Sequence, residues 1–334
     1  IKCNSCPQSS KTDGRGSSLR GSRDRILSQP LDRWSTDLDP TRFLLFVDLI
    51  RSARPRHWVK NVFVLAAPLF SGHLFLQPDL TRALIALGLF IAVSSAIYLI
   101  NDITDREQDR LHPLKASRPI ASGRLTPTVA GFVAGILLLT SVVAAYGLAP
   151  GFAYILGGYA LIHLAYSVWL KKLVLLDVLA IAAGFLLRAI GGAVAVDVVI
   201  STWFVLCTFT LTLLLATVKR RQELIELGES ASQHRHALEG YDVAYLDQVV
   251  SILTAASIVC YALYAVGIGE SASAQGHMEW TVPLVIYGIL RYLYIVRRLD
   301  IGGDPTALLW RDRPLQLTVL LWGALSSGLI YAGI

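Results

Sequence analysis

Apolar residues in this chain gather into blocks of bilayer length. Nine such blocks can be drawn, at residues 58–76, 82–100, 127–147, 151–170, 174–196, 201–218, 246–269, 281–298 and 315–333. A helix crosses the hydrocarbon core of a bilayer in about 20 residues. Only a helix satisfies its backbone polar groups within one isolated segment, whereas a transmembrane barrel would show short alternating strands. Charged residues make up 16% of the 334 residues and hydrophobic residues 54%, against about 25% charge in a soluble domain. The chain therefore reads as an all-α integral membrane protein, a bundle of about nine transmembrane helices. The first block is the least regular, because His57, Lys60 and Asn61 stand at its start.

Three regions follow. Residues 1–40 are rich in Ser, Gly and Arg and bury too little apolar surface to fold, so a disordered cytoplasmic tail is expected. Residues 41–56 begin "TRFLLFVDLIRSAR" and predict an interfacial amphipathic helix. Residues 57–334 form the expected transmembrane catalytic domain. Cys207 and Cys260 fall inside apolar blocks, and Cys3 with Cys6 lacks the further ligands of a zinc site.

Lys and Arg alternate between connections. One set holds Arg51, Arg54, Arg56 and Lys60, then Arg106, Arg110, Lys115, Arg118 and Arg124. It continues through Lys171 and Lys172, Lys219 to Arg221, and Arg297 to Arg313. The connections near 77–81, 148–150, 197–200 and 270–280 hold none, with Arg82 at a border. By the positive-inside rule the N-terminus is cytoplasmic and the C-terminus outside. A bacterial cytoplasmic membrane is the expected location. The long polar connections 101–126 and 219–245 fall on the cytoplasmic side, where chemistry is expected.

The first of these opens with "NDITDREQD", which supplies Asn101, Asp102, Asp105 and Asp109. If the preceding helix continues, the aspartate spacings place all three on one face. Such a cluster calls for a cation. Oxygen ligands without His or Cys suit Mg²⁺, which keeps positions free for water and phosphate. The next residues, "HPLKASRPIASG", add Lys115 and Arg118, cations able to neutralise a departing diphosphate. The plainer alternative is a solvated loop whose acids pair with Arg106 and Arg110.

The run NDxxDxxxD followed by K..RP..SG resembles the first aspartate-rich motif of the UbiA-type membrane transferases. The resemblance covers about residues 50–334. It implies a nine-helix enzyme with its site near the cytoplasmic face and Mg²⁺ held by Asp102, Asp105 and Asp109. Most such enzymes carry a second motif, DxxxD, after the sixth span. Here that place reads "KRRQEL", with Lys219, Arg220 and Glu223. Cations in place of the second acidic motif suggest a phosphate bound directly. Together with "RPRHWVKN", "FLLRAIGGAVA", "LEGYDVAYL" and "RDRPLQL", this resembles the branch that moves 5-phosphoribose from phosphoribosyl diphosphate to a decaprenyl-type polyprenyl phosphate. Diphosphate is the expected leaving group, and the product would feed lipid-linked arabinose donors for cell-wall polymers.

On this reading Asp102, Asp105, Asp109, Lys60, Lys115 and Arg118 are the candidate catalytic groups. Asn101, Arg56, Arg188, Lys219, Arg220, Glu223 and Tyr241 are the candidate substrate contacts. Each exposed cation also has a simpler role as a membrane anchor for lipid headgroups. Arg188 is the sharpest candidate, because a charge at membrane depth faces a cavity or a partner; Asp177 is a candidate partner for it or a metal-adjacent acid. Expected partners are the bilayer, the lipid phosphate and the sugar donor. No nucleic acid is expected, and a homo-oligomer is left open. Two alternatives stay open: prenyl transfer to an aromatic acceptor, and a transporter or lipid carrier with a charged gate.

Overall fold

The computed structural model describes residues 40–111, 115–227, 238, 240–267, 277–299, 308 and 311–332. The chain divides into units 1–43 and 44–334. Residues 1–39 of the expected tail lie outside the described part, and 40–43 open helix α1 (Pro40–Ser52). Phe43, Leu44, Phe46 and Ile50 are exposed on α1. The helix ends earlier than the sequence suggests. Arg54 precedes Pro55, which disfavours helical backbone, and it turns into the left-handed region at φ 54°.

The first apolar block is not a regular span. Pro55–Leu65 is a 3₁₀ helix, and only Ala66–Phe70 (α2) is α-helical. A 3₁₀ helix rises about 2.0 Å per residue, so the 55–70 segment still reaches on the order of 30 Å, the thickness of the hydrocarbon core. Irregular backbone is tolerated at this depth where protein or a cavity covers it. Here Val64 packs against α7, and Gly192 makes the approach feasible: a Cβ there would stand 1.7 Å from the Val64 carbonyl oxygen.

Among the described residues, eight helices are long and apolar enough to cross a membrane. They are α3 (Asp79–Thr104), α5 (Pro127–Leu148), α6 (Pro150–Val168), α7 (Leu176–Val196) and α8 (Thr202–Leu227). The others are α9 (Val243–Val266), α10 (Val282–Leu299) and α11 (Arg313–Ala332). The short α4 (Arg106–Leu111) follows α3. Two boundaries depart from expectation. Helix α3 stops at Asp105 and the chain turns before α4, so the aspartates do not share one continuous helix. Helix α8 runs on to Leu227, so Lys219, Arg220 and Glu223 stand on a helix rather than in a loop.

Helix α3 packs on α5, α6, α7 and the 3₁₀ segment, while α8 packs on α7 and α9. Lipid is as apolar as leucine, so close backbone packing drives helix association. Helix α7 supplies it with small residues: Ala182, Gly184, Ala189, Gly191, Gly192 and Ala193 are all buried. Phe90, Phe152 and Tyr159 fill the space between α3, α6 and α7. The ring pairs Phe90–Phe152 and Phe90–Tyr159 meet edge to face at 5.8 and 5.2 Å.

Candidate active site

The turn at Asp105 separates the three aspartates into two groups. Asp102 and Asp109 are 2% and 3% exposed, and Arg118 joins them. Its Nη1 donates to Asp102 Oδ1 at 3.2 Å and to Asp109 Oδ2 at 2.5 Å. Arg54 also donates to Asp102, and Lys115 Nζ stands 3.9 Å from Asp109. Asp105 faces elsewhere, accepting from Lys171 Nζ at 2.7 Å and from Asn101 Nδ2 at 3.0 Å. The described residues contain no ready group of three metal-binding side chains. Even so, Asp102 and Asp109 aim carboxylate oxygens at a single guanidinium nitrogen. A cation already occupies the point between them, and the donors are hard oxygens. One or two carboxylates plus substrate phosphates are what Mg²⁺ usually takes, so these residues fit it.

A cavity of about 480 Å³ opens beside this acidic mouth. Among the described residues Arg54, Lys60, Arg188 and Lys219 line it, and no carboxylate does. Arg54 and Asn101 connect the two regions, since each lines the cavity and also contacts an aspartate. Trp58 anchors the 3₁₀ segment to α3 by donating to Ser95 Oγ at 3.1 Å, which sets Lys60 on the cavity wall.

Arg188 is 4% exposed and lies midway along α7, on the order of 15–20 Å from the helix start at 1.5 Å per residue. Among the described residues its hydrogen bonds are with neutral groups: Nε with Asn61 Oδ1 at 2.9 Å, Nη1 with the Gly184 carbonyl at 3.0 Å, and Nη2 with Tyr159 Oη at 2.6 Å. The guanidinium also lies 4.7 Å from the Tyr159 ring centre and 5.1 Å from that of Phe185. Asn61 is held in turn by Ser94, to which its Nδ2 donates at 3.1 Å.

Asp177 is not the partner of Arg188, which corrects the expectation from sequence. It belongs to a second, closed network. Arg220, 1% exposed, donates to Asp177 Oδ2 and Glu223 Oε2 at 2.5 Å each, and to Tyr166 Oη at 3.4 Å. Tyr241 Oη donates to Asp177 Oδ1 at 2.7 Å and accepts from the Leu175 amide at 2.7 Å. Burial, reinforced by the Asp177 carboxylate, raises the Tyr241 phenol above its ordinary value, so it stays protonated. Nearby, Arg221 donates to Asp247 at 2.8 and 3.2 Å.

The structure thus sorts the expected site residues. Lys60, Asn101, Arg188 and Lys219 line the cavity, while Asp102, Asp109, Lys115 and Arg118 form its mouth. Arg56 is exposed and lines no part of it. Arg220, Glu223 and Tyr241 turn toward one another rather than toward the cavity. Sequence reasoning missed Arg54, Lys171, Tyr159 and His163. The signal for His163 was available: an ionisable side chain inside the apolar run "ALIHLAYSV" is a functional candidate by its depth alone. Arg54, Lys171 and Tyr159 carried no such mark.

An all-helical membrane bundle with an acidic mouth over a cationic cavity defines a class, and comparison specifies it. Residues 62–311 match the UbiA prenyltransferase family, and the chain belongs to that family. Among characterised relatives, decaprenyl-phosphate phosphoribosyltransferase of Mycolicibacterium smegmatis is 36% identical over 295 residues, covering 85% of this chain and 92% of that protein. The protein of the same name from Corynebacterium glutamicum is 35% identical over 280 residues, covering 82% of this chain and 84% of that one. A UbiA homologue from Archaeoglobus fulgidus, solved with DMAPP and Mg²⁺, shares the fold. Its TM-score is 0.65 at 19% identity, over 86% of this chain and 100% of that one.

Proposed function

We propose that this protein transfers 5-phosphoribose from phosphoribosyl diphosphate to a decaprenyl-type polyprenyl phosphate, releasing diphosphate. The observation that carries the reading is the cavity beside the acidic mouth, lined among the described residues by four Lys and Arg side chains and no carboxylate. A prenyl donor would bring one diphosphate and an apolar tail. Phosphoribosyl diphosphate and a lipid phosphate bring two further phosphate groups, which need direct cationic contacts. Names of relatives at 35–36% identity over most of the chain support the same reaction.

Asp102 and Asp109 are the residues that would hold Mg²⁺ on the donor diphosphate, while Asp105 is turned to Lys171 and Asn101. When bound, the metal neutralises the departing diphosphate. The protein's own part is to place and neutralise. Arg118 and Lys115 stand where the leaving group gathers charge, and Arg54 links the mouth to the cavity. As the bond from ribose C1 to diphosphate breaks, C1 gains oxocarbenium character. A lipid phosphate oxygen then forms the new bond from the opposite face. That oxygen is already anionic, so no strong base is needed, and positioning supplies much of the acceleration.

The acidic mouth lies on the end of the bundle richest in Lys and Arg, which supports a cytoplasmic face, a cytoplasmic N-terminus and an outward C-terminus in a bacterial inner membrane. The test is a purified-protein assay with labelled phosphoribosyl diphosphate, decaprenyl phosphate and Mg²⁺. Phosphoribosylated lipid is the expected product. No such product, together with prenylation of an aromatic acceptor, overturns the reading.

A further inference from the structure

We propose that Arg188 and His163 form the inner end of a subsite for a phosphate monoester, separate from the acidic mouth; the proposal rests on the reaction read above. Two independent observations carry it. Arginine has five N–H donors, and Arg188 gives three of its contacts to neutral acceptors, leaving donor capacity and a buried positive charge that meets no carboxylate among the described residues. An uncompensated charge at this depth is costly, and a bound anion removes the cost. The second observation is His163. Its Nε2 is buried and has no hydrogen-bond partner among the described residues. The ring lines the same cavity and lies against Tyr159, with centroids 4.4 Å apart.

The backbone makes room for this arrangement. A Cβ on Gly184 would stand 2.3 Å from His163 Nε2, so glycine at that position lets the imidazole pack against α7 beside the cavity. Gly184 also offers its carbonyl to Arg188. One residue of α7 therefore admits the histidine and orients the arginine. Lys60 and Lys219 line the same cavity and add positive charge. Either the 5-phosphate of the sugar donor or the phosphate of the lipid acceptor has the chemistry to fill the subsite, and the two are separable.

The experiment uses the full chain in detergent. Ribose 5-phosphate and farnesyl monophosphate are titrated by calorimetry in EDTA, and turnover is measured separately with Mg²⁺. One of the two probes binds without metal. His163→Phe keeps the ring but removes the nitrogen, and it weakens that probe about tenfold, as loss of one hydrogen bond to a charged group would. The KM of the matching substrate rises by a similar factor and kcat changes little. Gly184→Ala, which displaces His163, gives the same pattern. Preference for ribose 5-phosphate assigns the donor, and preference for farnesyl monophosphate assigns the acceptor. If neither probe binds the wild type, or both variants bind as the wild type does, the subsite is wrong. A wild type that makes no phosphoribosylated lipid sinks the reaction, and the titration still decides the subsite.

Discussion

The acidic mouth and the Asp177–Arg220 network use the same kinds of side chain to opposite ends. At the mouth, Asp102 and Asp109 are buried but their cations are not: Arg118 is 28% exposed and Lys115 45%. In the network, Arg220 and Asp177 side chains are 2% and 0% exposed, Tyr241 fills the other Asp177 oxygen, and Glu223, 29% exposed, takes the outer side of Arg220. A cation reachable from solvent can be exchanged for a metal and a phosphate. A buried pair with its hydrogen bonds filled has nowhere to go, because separating it strands a charge. The mouth is therefore suited to chemistry, and the network to holding α7, α8 and the Tyr241 segment together.

Substitutions can break this distinction. The largest effect is expected from Asp177→Asn, which leaves Arg220 short of its buried counter-charge. It should lower stability by about 3–5 kcal/mol, read as a drop in the thermal midpoint in detergent. An unchanged midpoint would put the network in the same category as the mouth. Next comes Asp102→Asn, which should cut turnover about a hundred- to thousandfold while the protein still inserts and melts normally. Asp105→Asn should cost less, since Asp105 faces Lys171 and not Arg118. Equal losses in the two would restore a three-aspartate array.

Tyr241→Phe removes the donor to Asp177 Oδ1 and should cost about 1–3 kcal/mol in stability. A loss confined to turnover would move Tyr241 into the site. Lys115→Ala should have the smallest effect. Its 3.9 Å contact with Asp109 is half exposed, and such pairs are worth about 0–1 kcal/mol. A large fall in turnover would show that Lys115 closes on the substrate once it is bound.

The position of Lys219 to Glu223 shows how a contiguous motif can be divided by the fold. "KRRQEL" marks a place where cations replace acids, and Lys219 does line the cavity. Its neighbour Arg220 turns to Asp177 instead, because adjacent helical residues diverge by about 100°. A string read as a loop gives no such division. The 3₁₀ geometry of 55–65 was equally hidden: the residues read as a weak apolar span, and the distortion follows from packing against Gly192. The 41–56 helix was overextended, although Pro55 marked its end in plain sight.

By itself the sequence determined that the chain is a helical membrane bundle, that its charge gathers on alternate connections, and that "NDITDREQD" is the candidate site. These are local properties: span length is set by bilayer thickness, and a motif is contiguous. Only the tertiary structure decided which cation meets which acid. Arg220 meets Asp177 across 43 residues, and Arg188 meets Asn61 across 127. Partners so distant are chosen by the way small residues let helices approach, and that choice left Arg188 charged, buried and facing a cavity.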